Sequence, residues 1–503
     1  MNKKNRFTQN IVANLGIRLW TVASNFLFVP LYIRFLGEET YGLVTFFSTM
    51  QAILNLLGLG LSKTIRREFA VLENDDRGKI KKYKILRSVE FVYVCISLII
   101  IALCGIGAKK IAGKWLTFQE LSIDTVERVI FLMGISIAIQ LVAGMLQGCL
   151  FGMEKQIEGD LIQFIWSVLK NVGVIFLLWI FCIDIIIFYV WYIITDILYF
   201  FGLRLFIIKY LKNTTYALRW KLKEIVNIKT IWRYAAGLFF ISLCNVGADK
   251  IIVSNAFNLT VLGTYNTVTM LGNFCLIISS SVGVAVFSRF SSLYSEGKKN
   301  ELSSFYFDVN NLVNVSVCCI SAFVSAYIDE ILLFWTHAER IVDIARSGGA
   351  ILVIALSFAA LHQISYEYML STGVVFVDNI RSVLTVIAIA IILPLGISAG
   401  GFSGAAIVML CINFVSLILY MIVVNYYLRR SPLIGVLKDF VIPMALFLLV
   451  ANLSHQIILL VFGNPYIVLG FGITCGCAVM LIFYYKGDVR NRIRVLNEKQ
   501  KEN

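Results

Sequence analysis

Long apolar runs, broken by short polar stretches, occupy almost the whole chain. A run of about 18 or more residues with few charges is long enough to cross a bilayer as a helix. Fourteen such segments are predicted, at about 10–35, 41–61, 88–108, 127–150, 160–181, 184–208, 233–257, 260–286, 306–335, 345–370, 380–398, 402–427, 439–462 and 464–485. No stretch between them could hold a soluble domain. Polar residues inside the segments recur at steps of three and four, which places them on one helical face. The first segment carries Asn14, Arg18, Thr21 and Asn25, and Pro30 invites a kink near its far end. The fifth carries Asp160, Gln163, Ser167 and Lys170. Shorter stripes are Ser48, Gln51 and Asn55 in the second and Ser136, Gln140 and Gln147 in the fourth. The seventh holds Ser242, Asn245 and Asp249, and the eighth Asn266, Thr269, Asn273 and Ser280. His362, Gln363, Tyr366 and Glu367 belong to the tenth.

Composition agrees with this pattern. Hydrophobic residues make up 59% of 503, and charged ones only 15%. The mean hydropathy of +0.84 lies outside the soluble range. A net charge of +14 changes the picture only in where it lies. The basic residues sit in short loops beside apolar segments, where topology retention and anionic lipid explain them and nucleic acid does not. Alternate loops, starting from the N-terminus, hold 33 Lys and Arg, and the opposite loops hold 5. The remaining six are Arg18, Arg34, Arg128, Lys170, Arg204 and Lys250, in or beside helices. This bias predicts cytoplasmic termini and an even number of spans. Residues 62–87 and 209–233, basic and in part aromatic, read as interfacial helices. Residues 1–9 are basic, but the apolar run that follows is too long for a cleaved signal and reads as an anchor. Eleven cysteines show no metal spacing and read as small core residues.

The chain also repeats. Two units start with a polar-striped helix and turn into a glycine-containing one. The first turn reads FLGEETYGLV (Phe35–Val44) and the second DKIIVSNAFNLTVLGTYN (Asp249–Asn266). Gly42 and Gly263 hold matching places, and an even number of spans separates them, so the halves run parallel. The expected fold class is therefore an all-α polytopic membrane protein with about 14 transmembrane helices. Its divisions are an N-terminal lobe at 1–208, a basic cytoplasmic linker at 209–232, a C-terminal lobe at 233–427, and a final helix pair with a basic tail at 428–503.

Both turns resemble those of polysaccharide exporters, the O-antigen flippase family of the multidrug/oligosaccharidyl-lipid/polysaccharide (MOP) flippase superfamily. The resemblance covers about residues 1–430. Asn258 stands where that family usually has glycine. The resemblance implies a two-lobed bundle that alternates access to a central cavity in the bacterial cytoplasmic membrane. The implied cargo is an undecaprenyl-pyrophosphate-linked oligosaccharide repeat unit, moved outward for O-antigen or capsule assembly. Implied partners are membrane lipids, a polysaccharide polymerase and a chain-length regulator. No cofactor is implied beyond coupling to H+ or Na+.

Charges inside membrane segments are the strongest site candidates. They are Arg18, Lys170, Asp196, Asp249, Lys250 and Glu367. Arg18, Lys170 and Lys250 suit a pyrophosphate headgroup. Asn14, Asn25, Gln51, Asn55, Gln140 and Asn273 suit sugar hydroxyls. Asp249 and Glu367 are the candidates for ion coupling. Against these readings stands ordinary interhelical hydrogen bonding, the common use of amides in membranes. His362 reads as a packed, neutral histidine. No nucleophile constellation, zinc motif or phosphate-cradling loop is present in the sequence, so an enzyme is not expected. Two alternatives stand beside the flippase. A cation-coupled drug exporter of the same superfamily should have an acidic, aromatic cavity. A polymerase or glycosyltransferase should have a larger outer loop than 109–126.

Overall fold

The computed structural model describes residues 20, 23–24, 26–72, 76–153, 155–181, 184–211, 248–428, 440–462 and 464–486. All the elements they form are helical, and they fall into two compact units, Met1–Leu262 and Gly263–Asn503. Nine described helices are long and apolar enough to cross a membrane. Of the fourteen expected spans, half of 10–35 and most of 233–257 lie outside the described residues. The expected interfacial helix at 209–233 lies almost entirely outside them as well.

The first unit contains α1 (Phe26–Leu36), α2 (Glu38–Val71), α3 (Asp76–Lys110), α4 (Ile123–Gly152), α5 (Gln156–Phe181), α6 (Ile185–Leu211) and α7 (Ala248–Ala256). Helix α4 is the core element, with α2, α3 and α6 packed against it. Its sequence explains this position. It carries no Lys or Arg beyond Arg128, and a face built from Val126 to Cys149 is almost fully buried. Ser122 caps its N-terminus by accepting from the Thr125 amide at 3.1 Å. Ser97 of α3 pins the pair by donating to the Ala138 carbonyl at 2.9 Å. The basic stretch 62–87 is not a separate interfacial helix. Helix α2 runs on to Val71 and α3 starts at Asp76, so the stretch consists of the ends of two long helices. Lys, Arg and Glu are good helix formers, and nothing stops the helices at the end of the apolar run.

The motif around Glu39 has a structural purpose. Gly37 adopts φ 82°, which ends α1 and lets α2 begin at once. Gly42 faces the backbone of Leu259 so closely that no side chain fits. Buried Glu39 accepts from three consecutive amides, Gln119, Glu120 and Leu121, at 2.9–3.2 Å. Thr117 accepts from the Leu259 amide at 3.0 Å, and Trp115 donates to Ser254 at 3.1 Å. The turns at 37–39, 115–121 and 254–259 are thus fastened together. Asn258, the departure from the expected glycine, caps the next helix by accepting from the Val261 amide at 2.9 Å.

That helix, α8 (Leu259–Ser295), leads into the second unit. There follow α9 (Lys299–Ala326), α10 (Ile328–Thr336), α11 (Glu339–Arg346), α12 (Gly349–Leu361), α13 (Gln363–Ser371), α14 (Val375–Tyr427), α15 (Ile442–Phe462) and α16 (Pro465–Lys486). Helix α14 has 53 residues and breaks at Gly400 and Gly401, where Gly401 takes φ 55°. Its two arms are the expected spans 380–398 and 402–427. The core of this unit is aromatic at one end. Phe290, Tyr306 and Tyr368 pack edge-on or tilted, and Tyr306 hydrogen-bonds Ser365 at 2.8 Å. The last pair is held by the Tyr327–Ser454 hydroxyl contact at 3.0 Å and by Glu330 against His455 at 2.9 Å. Its other face, with Leu449, Leu453 and Leu460, is exposed and suits lipid.

Candidate functional site

In the first unit one carboxylate gathers the polar stripes. Asp196 on α6 is completely buried. One oxygen accepts from Trp166 Nε1 at 3.0 Å and faces Lys170 Nζ at 3.3 Å. The other accepts from Ser136 at 2.5 Å and Gln140 at 2.9 Å. Gln140 in turn accepts from Gln51 at 2.5 Å. Side chains of α2, α4, α5 and α6 thus form one chain of hydrogen bonds. Lys170, only 7% exposed, lies over the ring of Tyr192 at 4.0 Å, with Trp166 at 4.9 Å and Phe47 at 5.6 Å. The rings and the carboxylate compensate the ammonium where water is excluded.

The stripe on α5 is partnered along its length. Gln163 accepts from Gln147 at 2.6 Å, and Ser167 accepts from Trp20 at 3.1 Å. Asn171, one turn on, accepts from the Tyr32 hydroxyl at 3.3 Å. The expected site residues Gln51, Gln140 and Lys170 therefore come together, but on a protein carboxylate. Asp196, a candidate to which the sequence assigns no particular role, is the residue that joins them. It was visible as an intramembrane charge, yet its partners lie on two other helices, with a third reached through Gln140, and no spacing connects them. Asp249 and Lys250 sit half-buried in α7. Asn14, Arg18 and Asn25 lie outside the described residues, as does the side chain of Asn55.

The second unit has its own polar group. The Tyr420 hydroxyl donates to Asp378, and Asp378 pairs with Arg381 at 2.9 Å. Arg381 lies over the Tyr420 ring, and His362 stacks on the same ring at 4.7 Å. The packed histidine expected from sequence is what is found, with Nδ1 buried and lacking a hydrogen-bond partner among the described residues. Glu367, on the next helix, is buried and accepts from Gln363 at 3.0 Å. Asn273 is half-buried on α8. Ion pairs outside the spans are of an ordinary surface kind. In the turn after α8, a hydrogen bond from Lys298 holds the exposed Glu296 carboxyl below its usual range. No group of three or more metal-ligating side chains occurs among the described residues.

The profile of the family described as polysaccharide biosynthesis protein matches residues 7–294. No curated protein matches the chain. Among solved structures, the chain is similar to lipid II flippase MurJ in an inward closed conformation. The TM-score is 0.70 at 16% identity, over 97% of this chain and 100% of that one. It is also similar to an inward-facing multidrug resistance MATE family transporter of the MOP superfamily. There the TM-score is 0.56 at 13% identity, over 82% and 96% of the two chains. At these identities the likeness establishes the fold alone, an all-helical fold shared with those two proteins. With a profile match over more than half its length, the chain belongs to the polysaccharide biosynthesis protein family.

Proposed function

We propose that the protein is a flippase for a lipid-linked oligosaccharide, carrying an undecaprenyl-pyrophosphate-linked repeat unit from the inner to the outer leaflet of the bacterial cytoplasmic membrane. The observation that carries this reading is the family match over residues 7–294. A fold similar to that of a lipid II flippase along 97% of the chain supports it. In this reading the protein is not an enzyme, and it works by alternating access. The exported unit is used in O-antigen or capsule assembly, next to a polymerase and a chain-length regulator.

Of the three cations expected to meet the pyrophosphate, Lys170 already has an internal carboxylate, so Arg18 and Lys250 carry the headgroup role. Asn14, Asn25, Asn55 and Asn273 serve the sugars. Gln51 and Gln140 act through the Asp196 chain, as positioning residues. Coupling to an H+ or Na+ gradient is assigned to Asp249 and Glu367. The test is export of surface polysaccharide in a flippase-deleted strain, normalised to membrane-inserted protein, together with flipping of a labelled lipid-linked unit in vesicles. Restored export with flipping supports the reading. Drug efflux without flipping, or sugar polymerisation by the purified protein, overturns it.

A further inference from the structure

A groove opens on the surface of the first unit between the start of α3 and the end of α6. Its polar wall is Tyr83, Arg87, Glu90 and Arg204. Its apolar floor is Leu86, Leu146, Ile207 and Ile208. Glu90 receives both guanidinium groups, Arg204 on one oxygen and Arg87 at 3.7 Å on the other. Arg87 also donates through Nε to the Tyr83 hydroxyl at 3.1 Å. Two cations sharing one carboxylate leave the wall with one net positive charge. Both keep solvent-facing surface, the side chains being 43% and 30% exposed.

The flanking helices give the depth of this groove in the membrane. On α3 the outward row is Arg77, Lys81, Lys84 and Arg87, then Phe91, Val94 and Leu98, all exposed. The row changes from cationic to apolar just after Arg87. On α6 the outward row is Leu198, Phe201, Leu205 and Ile208, all exposed and apolar, and Lys209 follows. The two changes of character flank the same groove. A lipid-facing helix surface changes in this way where hydrocarbon gives way to headgroups.

We infer that this groove holds the headgroup of an anionic phospholipid of the surrounding membrane, on the basic side of the protein. The phosphodiester would take hydrogen bonds from Arg87 and Arg204, and the acyl chains would lie on the apolar floor. The proposed ligand is a lipid of the surrounding bilayer and not the cargo.

The experiment is native mass spectrometry of the full-length protein with equal phosphatidylglycerol and phosphatidylethanolamine. Wild type should retain phosphatidylglycerol preferentially. Arg87→Gln, at the more exposed of the two arginines, should weaken that binding about fivefold, the worth of one basic side chain at an anionic surface. Glu90→Gln should strengthen it, because it removes the internal competitor, and no loss of folding can mimic a gain. Equal retention of both lipids, or unchanged binding in both variants, overturns the site. So does displacement by inorganic phosphate, which would make the ligand a soluble anion, or by undecaprenyl phosphate at a ratio of one to one, which would make it a cargo site.

Discussion

Asp196 ties together two helices of the first unit directly and a third through Gln140. Four donors from two neighbouring helices converge on it, and it compensates the ammonium of Lys170, one of the three cations expected to meet the cargo. Taking two charges out of water is costly, and their attraction barely repays it, but losing one partner leaves a bare charge in a dry core. Lys170→Met should therefore lower the stability of the protein by about 3–5 kcal/mol. The double variant Lys170→Met with Asp196→Asn should regain at least half of that loss, because no charge is left unpaired. A thermal-shift comparison of the variants in detergent checks this. Equal melting of wild type and Lys170→Met would return Lys170 to the cargo. Glu39 makes a similar prediction at the first turn. Glu39→Ala removes the carboxylate that fastens three amides of the 119–121 turn and should cost about 1–3 kcal/mol, read in the same assay.

At the scale of elements, hydrophobic period and length were enough to place most helices. The break between two expected spans at 398–402 was legible because Gly400 and Gly401 interrupt an otherwise apolar run. The ends of α2 and α3 were not, because polar residues stop a membrane span without stopping a helix. The stripes placed Gln51, Gln140 and Lys170 on polar helical faces, and these side chains meet in one hydrogen-bonded chain. They could not name Asp196 as the common partner, since such a contact between distant helices leaves no periodic trace. Nor did Gly42 reveal its reason in the sequence. Helix α2 passes the backbone of Leu259 there with no room for a Cβ, whereas a Cβ at Gly144 in α4 would meet nothing within 4 Å among the described residues. Gly42→Ala should therefore push the two elements apart and sharply reduce folded protein. Gly144→Ala should be neutral or stabilise by up to about 1 kcal/mol, the helix-propensity gain. Fluorescence size-exclusion profiles of tagged protein separate the two outcomes, and equal profiles would refute the close approach.

At the scale of the whole chain, the loop-charge bias and the contacts can be compared. The bias places the turns near 37–40, 109–126 and 258–260 outside. In the first unit these are the turns that meet, through Glu39 with residues 119–121 and through Thr117 with Leu259. In the second unit the bias places 336–346, 399–401 and 463 outside. There Phe334 meets Tyr466 at 6.2 Å, Arg346 bonds Asp329 at 2.9 Å, and Gly348 abuts Ser403. Each unit thus brings together the named connections that a count of Lys and Arg assigned to one side; the turn at 182–183, which the count also places outside, lies beyond the described residues. A misplaced span would have reversed every later turn and separated them. Which face is outside rests on the positive-inside rule. Single cysteines at Thr117, Gly400 and Asn464, in a cysteine-free background, should react with an impermeant maleimide added to intact spheroplasts. Cysteines at Lys81 and Glu296 should react only after the membrane is opened. Labelling of Lys81 from outside, with Asn464 silent, would invert the protein and with it the direction of transport proposed here.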